Sequence, residues 1–332
     1  MGRPTTTQDT VRNVSEHSLP SWVLSHLALI MRGAGRRWRP GIERREELMF
    51  YLLISPWIIG FVVFIAGPML SSLYLSLTEW DLLQPPQWAM LDNYVTMLFR
   101  DPLFWHSLKV TLFYTVGTVL LGTTGSLLLA SLLNQSIRGV SVYRAVYYLP
   151  SVISGVAVAH LWRMVLNPEF GLLNLGLGFL GIQGPGWLAD PQWALPSLIL
   201  ISLWGLGGGM IIFLAGLQAV PRQLYEAAEI DGAGRWACFW NVTLPMLSPI
   251  ILFSLIVNTI DSFQVFTQVY VLTGGGPANA TNVYALYLYQ NAFRFFKMGY
   301  ASAMAWGLFF MILAVTVLQL KVAPRWVHYE AE

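Results

Sequence analysis

Six long apolar stretches constrain this chain more than any other feature: five contain no Asp, Glu, Lys or Arg, and the sixth is broken only by Asp261. A helix needs about 20 predominantly apolar residues to cross the hydrocarbon core of a bilayer. The stretches are continuously apolar rather than alternating, which favours helices over barrel strands. Charged residues make up only 11% of the chain, against about 25% in soluble domains. The predicted spans lie near residues 50–77, 110–135, 145–166, 193–220, 245–271 and 298–320.

This pattern predicts an all-α integral membrane protein, and the basic residues predict its orientation. With the N-terminus in the cytoplasm, fourteen of the 19 Lys and Arg residues fall inside and five outside, as the positive-inside rule requires. The tail dominates this bias, because the remaining loops give six against five. We predict a membrane domain over 48–322 between two cytoplasmic tails, 1–47 and 323–332.

The N-terminal tail has two parts. Residues 1–21 are polar and predict disorder. Trp22–Met31 is apolar but too short to span a membrane, and several arginines follow it. Two interpretations stay open: an interfacial helix held by the basic segment, or an unstructured tail.

Several kinds of chemistry are absent from the sequence. A P-loop needs Gly-Lys-Ser/Thr, yet none of the three lysines is followed by Ser or Thr. Neither a zinc-protease pair of histidines nor a serine-hydrolase elbow is present. One cysteine excludes a disulfide framework, and a net charge of +2 is too small to indicate nucleic-acid binding. We predict no enzyme activity and no bound cofactor, so any active transport draws its energy from another chain.

A polar stripe runs along the fifth predicted span. If the span is one helix, its polar side chains fall within an arc of about 120°. A carboxylate facing lipid costs about 2.5–3.5 kcal/mol, so this face points at other helices or at a cavity. Two interpretations stay open: the lining of a pathway for an uncharged, polyhydroxylated solute, or hydrogen bonds between helices. The stripe consists of Ser254, Asn258, Asp261, Gln264 and Gln268.

The fourth predicted span adds Trp204 to the candidate pathway. The run of glycines beside it, from Gly205 to Gly209, permits close helix packing or a local unwinding of the helix.

The loop 222–245 between the fourth and fifth spans has its own helix signals. Pro221 suits the start of a short helix, and Gly232 suits its end. A second short helix is predicted from about Gly234 to Asn241, after which Pro245 opens the next span. From these residues alone, a solvated charged loop is the plain interpretation.

The same residues resemble a known motif. Glu226-Ala227-Ala228, then Gly232, then Val242-Thr243-Leu244-Pro245 are similar to the EAA loop of binding-protein-dependent ABC importer permeases, with Val in place of the usual Ile. The flanking EIDGAGRWACFWNVTLP and the later QVYVLTGGGP and FRFFKMGYASAMAW resemble carbohydrate-uptake permeases of the maltose and glycerol-phosphate types. The resemblance covers roughly 48–322 and implies a six-transmembrane-helix permease of the bacterial cytoplasmic membrane.

The resemblance also implies how the loop works. In this family it forms a coupling helix that docks on a cytoplasmic ATPase. Glu226 would meet a basic residue there, Ala227 and Ala228 would allow close approach, and Gly232 would permit the bend that follows. The motif residues carried over with them are Asp231, Leu244 and Pro245.

The implied partners are a second homologous permease, two ATPase subunits that bind ATP and Mg, an extracytoplasmic solute-binding protein, and membrane lipid. Gly171 and Asn174, in the outer segment between the third and fourth spans, are candidate contacts for the binding protein. The implied cargo is a mono- or oligosaccharide or a related polyol. A phosphorylated polyol would need Arg or Lys at membrane depth, which this chain lacks and a partner permease could supply.

Two other classes of protein stay open at this point. An ion-coupled carrier or passive channel would move its solute without an ATPase, but it should hold several ionisable groups at membrane depth. A membrane scaffold or receptor would need no pathway, and it leaves the polar stripe without a role.

Overall fold

The computed structural model describes residues 40–135 and 138–328. The apolar segment Trp22–Met31, with its predicted interfacial helix, lies outside the described residues. The chain divides into two units, Met1–Gly67 and Pro68–Glu332. In the first unit, the described residues form helix α1 and a π-helical turn, Val62–Ala66.

Helices make up nearly all of the described structure, with one two-stranded ribbon in which β1 (Thr78–Glu79) pairs antiparallel with β2 (Gln87–Trp88). The helices in chain order are α1 Pro40–Phe61, α2 Gly67–Ser76, α3 Asp92–Val95, α4 Pro102–Leu133, α5 Val140–Val152, α6 Gly155–Val165, α7 Leu172–Phe179, α8 Pro191–Ser202, α9 Gly207–Ala219, α10 Arg222–Ile230, α11 Arg235–Cys238, α12 Leu244–Phe263, α13 Thr267–Leu272, α14 Tyr284–Phe293 and α15 Met298–Val322.

Within the described residues, four continuous helices are long and apolar enough to cross a membrane, and the number rises to six if each of two bent pairs is one span. The continuous helices are Arg44–Ser76, Pro102–Leu133, Arg235–Phe263 and Met298–Arg325. This agrees with a multi-pass helical protein.

The third predicted span is not a single helix. Helices α5 and α6 meet at an angle of 100°, and the break falls at Ile153 and Ser154, whose backbones are extended. Pro150 weakens the last turn of α5 because it has no N–H to donate. Hydropathy cannot detect this bend, since the residues on both sides of it are equally apolar.

The fourth predicted span is bent by 47° between α8 and α9. A 3-10 turn, Leu203–Gly205, joins the two helices. The glycines that follow also permit close packing. A Cβ on Gly207 would meet the backbone carbonyl of Tyr147 in α5, and one on Gly209 would lie 2.6 Å from Ser126 Oγ in α4. Close packing, one of the two predicted uses of this glycine run, therefore occurs at Gly207 and Gly209, whereas the bend contains a tightened 3-10 turn rather than an unwound segment.

The fifth predicted span ends earlier than expected. Helix α12 stops at Phe263, and α13 is a separate short helix. Gln264, Val265 and Phe266 separate them. Phe266 stacks on Tyr270 at 5.3 Å and packs on Tyr289 at 5.0 Å between ring centroids, which stabilises the irregular backbone. The prediction of one helix across 245–271 is wrong.

Helix α4 lies at the centre of the larger unit, where it packs against α8, α9 and α12. Its inner face is lined by small polar residues as well as apolar ones, including Thr111, Thr115 and Ser126. The main buried clusters join α4 to α8 and α13 on one side and to α9 and α12 on the other. Helix α4 therefore brings both apolar and hydroxyl side chains to its contacts with the neighbouring helices.

Candidate functional site

A polar cavity of about 210 Å³ opens between α4, the α8–α9 bend and α12. It lies beside residues at the middle of three predicted spans. Asp261 and Gly205 line it and are nevertheless exposed, so the cavity is open on one side. Its full lining is Tyr114, Thr118, Gly122, Ser126, Ser202, Gly205, Leu206, Gly209, Asn258, Asp261, Ser262 and Val265.

Asn258 is fixed in this cavity by two hydrogen bonds. Its Nδ2 donates to Thr123 Oγ1 at 3.1 Å and to Ser254 Oγ at 3.3 Å. A half-buried amide held between α4 and α12 joins the two helices and also borders the cavity. The two interpretations of the polar stripe, helix contact and cavity lining, therefore both apply to Asn258.

Asp261 is the only residue in the lining of this cavity that carries a carboxylate. The neighbouring Ser262 shares a hydrogen bond of 2.9 Å with Thr118 of α4, which joins α12 to α4 at this level. Asp261 forms no ion pair among the described residues, where the single salt bridge joins Arg100 and Asp92. A carboxylate in that position can accept hydrogen bonds from a hydroxylated solute.

The other predicted pathway residues lie outside the cavity. Gln264 follows the end of α12 and is exposed. Gln268, in α13, donates to the carbonyl of Leu198 at 3.4 Å. Trp204 packs edge-on against Trp162, with 5.9 Å between ring centroids. The prediction of one helical face holding all five polar residues is wrong because the helix ends at Phe263.

The second predicted span also lines the cavity, although none of its residues was among the predicted pathway residues. Tyr114, Thr118, Gly122 and Ser126 line the cavity from α4, and they recur every four residues, which is the spacing of one helix face. This spacing is visible in the sequence. The adjoining Ser202 is harder to find, because its position depends on the bend between α8 and α9.

Within the loop 222–245, helix α10 carries the EAA triplet on an exposed and well-terminated helix. Gly232 has a φ of 82°, in the left-handed region, with open space around its Cα. Its N–H donates to the Glu229 carbonyl at 3.0 Å, and Ala233 N–H donates to the Ala228 carbonyl at 2.9 Å. This pair of bonds is a Schellman motif. The predicted helix stop at Gly232 has this geometry, and Pro221 is the N-cap rather than the first helical residue.

The second half of this loop differs from the prediction. No separate short helix follows Gly234, because α11 continues through a π-helical turn, Phe239–Thr243, into α12. Pro245 therefore lies inside a helix rather than at its start. Proline lacks an N–H and crowds the preceding turn, and the wider π turn directly before Leu244 accommodates it.

One side-chain hydrogen bond ties α10 to the base of α12. The hydroxyl of Tyr225, the residue before the EAA triplet, lies 3.0 Å from Thr243 Oγ1. Thr243 is buried in the π turn. On the outward surface Ile230 is 87% exposed and Trp236 is 76% exposed. The loop is thus anchored on its inner side and presents apolar side chains outward.

The predicted binding-protein contacts lie in the segment that carries α7. Gly171 is buried, and a Cβ there would meet backbone atoms of Asn167 and Val165. Asn174 donates to the carbonyls of Pro168 at 3.1 Å and Pro185 at 3.4 Å, and accepts from Trp187 Nε1 at 2.6 Å. Both residues therefore hold the segment in its conformation through contacts inside it.

A second polar cluster surrounds Asp101, which the sequence analysis did not single out. Its Oδ1 caps α4 by accepting from the N–H groups of Leu103 and Phe104. Its Oδ2 accepts from the hydroxyls of Tyr287 at 2.7 Å and Tyr300 at 2.6 Å. Burial, together with the hydrogen bond to Asp101, raises the pKa of Tyr287 to about 12, so this hydroxyl remains a donor at neutral pH. Among the described residues, no group of three or more His, Cys, Asp or Glu could hold a metal ion.

A multi-pass helical bundle with an open polar cavity between its spans is typical of membrane transport proteins. In this chain the bundle also carries the anchored loop 222–245. The comparisons with known proteins give the family. Residues 122–328 match the family described as "Binding-protein-dependent transport system inner membrane component". The chain belongs to this family. It is a multi-pass inner-membrane protein and a transport subunit, not an enzyme.

Similar proteins cover nearly the whole chain. The probable ABC transporter permease protein YesP of Bacillus subtilis is 45% identical, over 87% of this chain and 94% of YesP. The trehalose/maltose transport system permease protein MalF of Thermococcus litoralis is 35% identical, over 85% and 95%. A bacterial alginate ABC transporter, solved in complex with an alginate pentasaccharide-bound periplasmic protein, matches with a TM-score of 0.76 and 26% identity, over 87% of this chain and 98% of that chain.

Proposed function

We propose that this chain forms half of the translocation pathway of an ATP-driven importer for an uncharged sugar or related polyol. The observation that carries the proposal is the open cavity at membrane depth. Its hydroxyl and amide groups suit a polyhydroxylated solute, which needs many hydrogen-bond donors and acceptors. The trehalose/maltose permease among the similar proteins supports the same class of cargo.

The size of the cavity supports a second, homologous permease as partner. Its volume of about 210 Å³ is below the roughly 300–1,000 Å³ of typical ligand pockets. Because the cavity is open beside Asp261, a facing subunit would complete it. In this proposal Asn258 and Asp261 contact the cargo, whereas Gln268 and Trp204 support the surrounding helices and the exposed Gln264 takes no part in the pathway.

We assign the loop 222–245 to coupling with two cytoplasmic ATPase subunits, which bind ATP and Mg in place of any cofactor in this chain. Glu226, Ala227, Ala228 and Asp231 present the docking surface, and Gly232 ends the helix cleanly. The bond from Tyr225 to Thr243 and the π turn before Leu244 and Pro245 connect this surface to α12. A rigid connection of this kind transmits a rigid-body movement.

On the opposite side, a solute-binding protein delivers the sugar. Gly171 and Asn174 fix the outer segment that we assign to this contact. The alginate transporter in complex with its periplasmic protein supports such a partner. Both chain termini lie in the cytoplasm in this arrangement, as the excess of basic residues in the tails and inner loops indicates.

A double variant, Glu226→Ala with Gly232→Val, tests the proposal. We expect the chain to insert normally but to lose its co-purifying ATPase, and uptake to fall at least about tenfold because rigid-body coupling runs through this loop. A matched control is Glu79→Ala with Gly139→Val, since Gly139 also has a left-handed φ, 77°, and open space around it. Normal uptake by the loop variant would contradict the proposal.

A further inference from the structure

The segment between Glu169 and Asp190 carries an apolar surface that the transport pathway does not use. No charged residue lies between these two positions. Helix α7 turns Leu172, Leu175 and Phe179 to one side, and Phe179 is 92% exposed. The exposed apolar side chains of the whole segment are Phe170, Leu172, Leu175, Phe179, Leu180 and Ile182.

The opposite side of the helix is fixed to the protein. Leu173 packs against the main buried cluster, and the amide of Asn174 makes three hydrogen bonds within the segment. The helix ends at Phe179, and Gly181 beyond it has a φ of 72° and donates its N–H to the carbonyl of Gly178 at 3.0 Å. The exposed side chains therefore cannot turn inward without breaking these contacts.

We infer that this face of α7, from Leu172 to Phe179, is embedded in the interfacial region of the membrane leaflet on its side of the protein. An in-plane helix with an apolar face lies about 5–10 Å into the boundary between headgroups and acyl chains. A soluble partner would be expected to meet a polar rim, whereas this surface has no charge along its length.

The helices that flank the segment also expose apolar side chains. Met164 at the end of α6 and Trp193 at the start of α8 are exposed on the two spans that flank the segment. Trp187 packs edge-on against Trp193, with 5.8 Å between ring centroids, and tryptophan is enriched at membrane interfaces. The exposed polar side chains of Glu169 and Gln183 remain available to a binding protein, so the inference is independent of the proposed function.

Site-specific fluorescence can test this inference. The chain has one cysteine, Cys238, so Cys238→Ser gives a background in which Phe179→Cys is labelled with an environment-sensitive probe. The labelled full-length chain, with the subunits that co-purify with it, is placed in lipid nanodiscs. A nitroxide attached to lipid near the headgroup and aqueous iodide serve as the two quenchers. Leu175→Cys is a second test site, and Gln84→Cys, at an exposed polar position in the loop between the two strands, is the matched control.

An interfacial helix predicts blue-shifted emission at both test sites and quenching by the lipid nitroxide about threefold stronger than at Gln84. Strong quenching by iodide with none from the lipid would overturn the inference. Protection from both quenchers only after a binding protein is added would assign the surface to that protein instead. Protection from both without it would assign the surface to a second permease subunit, and either result rejects the membrane contact.

Discussion

Asn258 uses its amide N–H groups to join two helices at the cavity, donating to Thr123 and to Ser254. It belongs at once to the packing of α4 on α12 and to the wall of the cavity. Gln264 carries the same amide group only six positions later, yet it is exposed beyond the helix end and borders no part of the cavity. Substituting each of these two residues in turn therefore distinguishes an effect of the cavity from an effect of losing any amide side chain in this region.

We expect Asn258→Leu to lower the rate of sugar uptake by about 5- to 150-fold, the equivalent of the ~1–3 kcal/mol cost of leaving a polar group of the bound cargo without its hydrogen-bond partner. Gln264→Leu, the matched control, should leave uptake close to that of the unaltered chain. The measurement is initial uptake of labelled sugar in cells with equal amounts of each variant in the membrane. Equal uptake by both variants would remove Asn258 from the pathway.

Among the elements, the long helices follow from the sequence and their interruptions do not. Apolar runs without charges locate α4, α12 and α15, because burial in lipid and burial in protein select the same residues. The 100° break between α5 and α6 falls among residues as apolar as those on either side of it, so no hydropathy pattern encodes it. The lining of the cavity was predictable only in part. Asn258 and Asp261 lie on a predicted span, whereas Ser202 lines the cavity only because of the bend between α8 and α9.

The start of α4 offers a prediction at the same scale. Asp101→Ala removes an N-cap worth about 0.5–2 kcal/mol and leaves the hydroxyls of Tyr287 and Tyr300 without their acceptor. We expect a total loss of about 2–4 kcal/mol, seen as a lower unfolding temperature of the detergent-purified protein by tryptophan fluorescence.

Asp92→Ala is the control for this change. Asp92 pairs with Arg100 at 3.2 Å, with 62% of each side chain exposed, and exposed pairs contribute only about 0–1 kcal/mol. An unfolding temperature that falls equally in the two variants would mean that the contacts of Asp101 do not stabilise the fold.

For the whole molecule, the proposed coupling requires the loop 222–245 and the segment carrying α7 to lie on opposite sides of the membrane. An odd number of crossings between two connected positions places them on opposite sides. From Asp190 to Arg222 the chain crosses once if the bent pair α8–α9 is one span. The only cysteine lies in the loop, and the polar residue Glu169 lies in the segment before α7. Labelling at these two positions can therefore measure the topology.

Cys238 lies in the loop and is half-buried, so a membrane-impermeant maleimide can report its side directly. We expect labelling in inside-out vesicles stripped of peripheral subunits and protection in intact cells, because the proposal places the ATPase and the loops with the excess of basic residues on the cytoplasmic side. Glu169→Cys in a Cys238→Ser background should show the reverse pattern, and labelling after denaturation corrects for burial. Labelling of Cys238 from outside intact cells would place the loop beyond the reach of any cytoplasmic ATPase, and the coupling role of Glu226 and Gly232 would then be untenable.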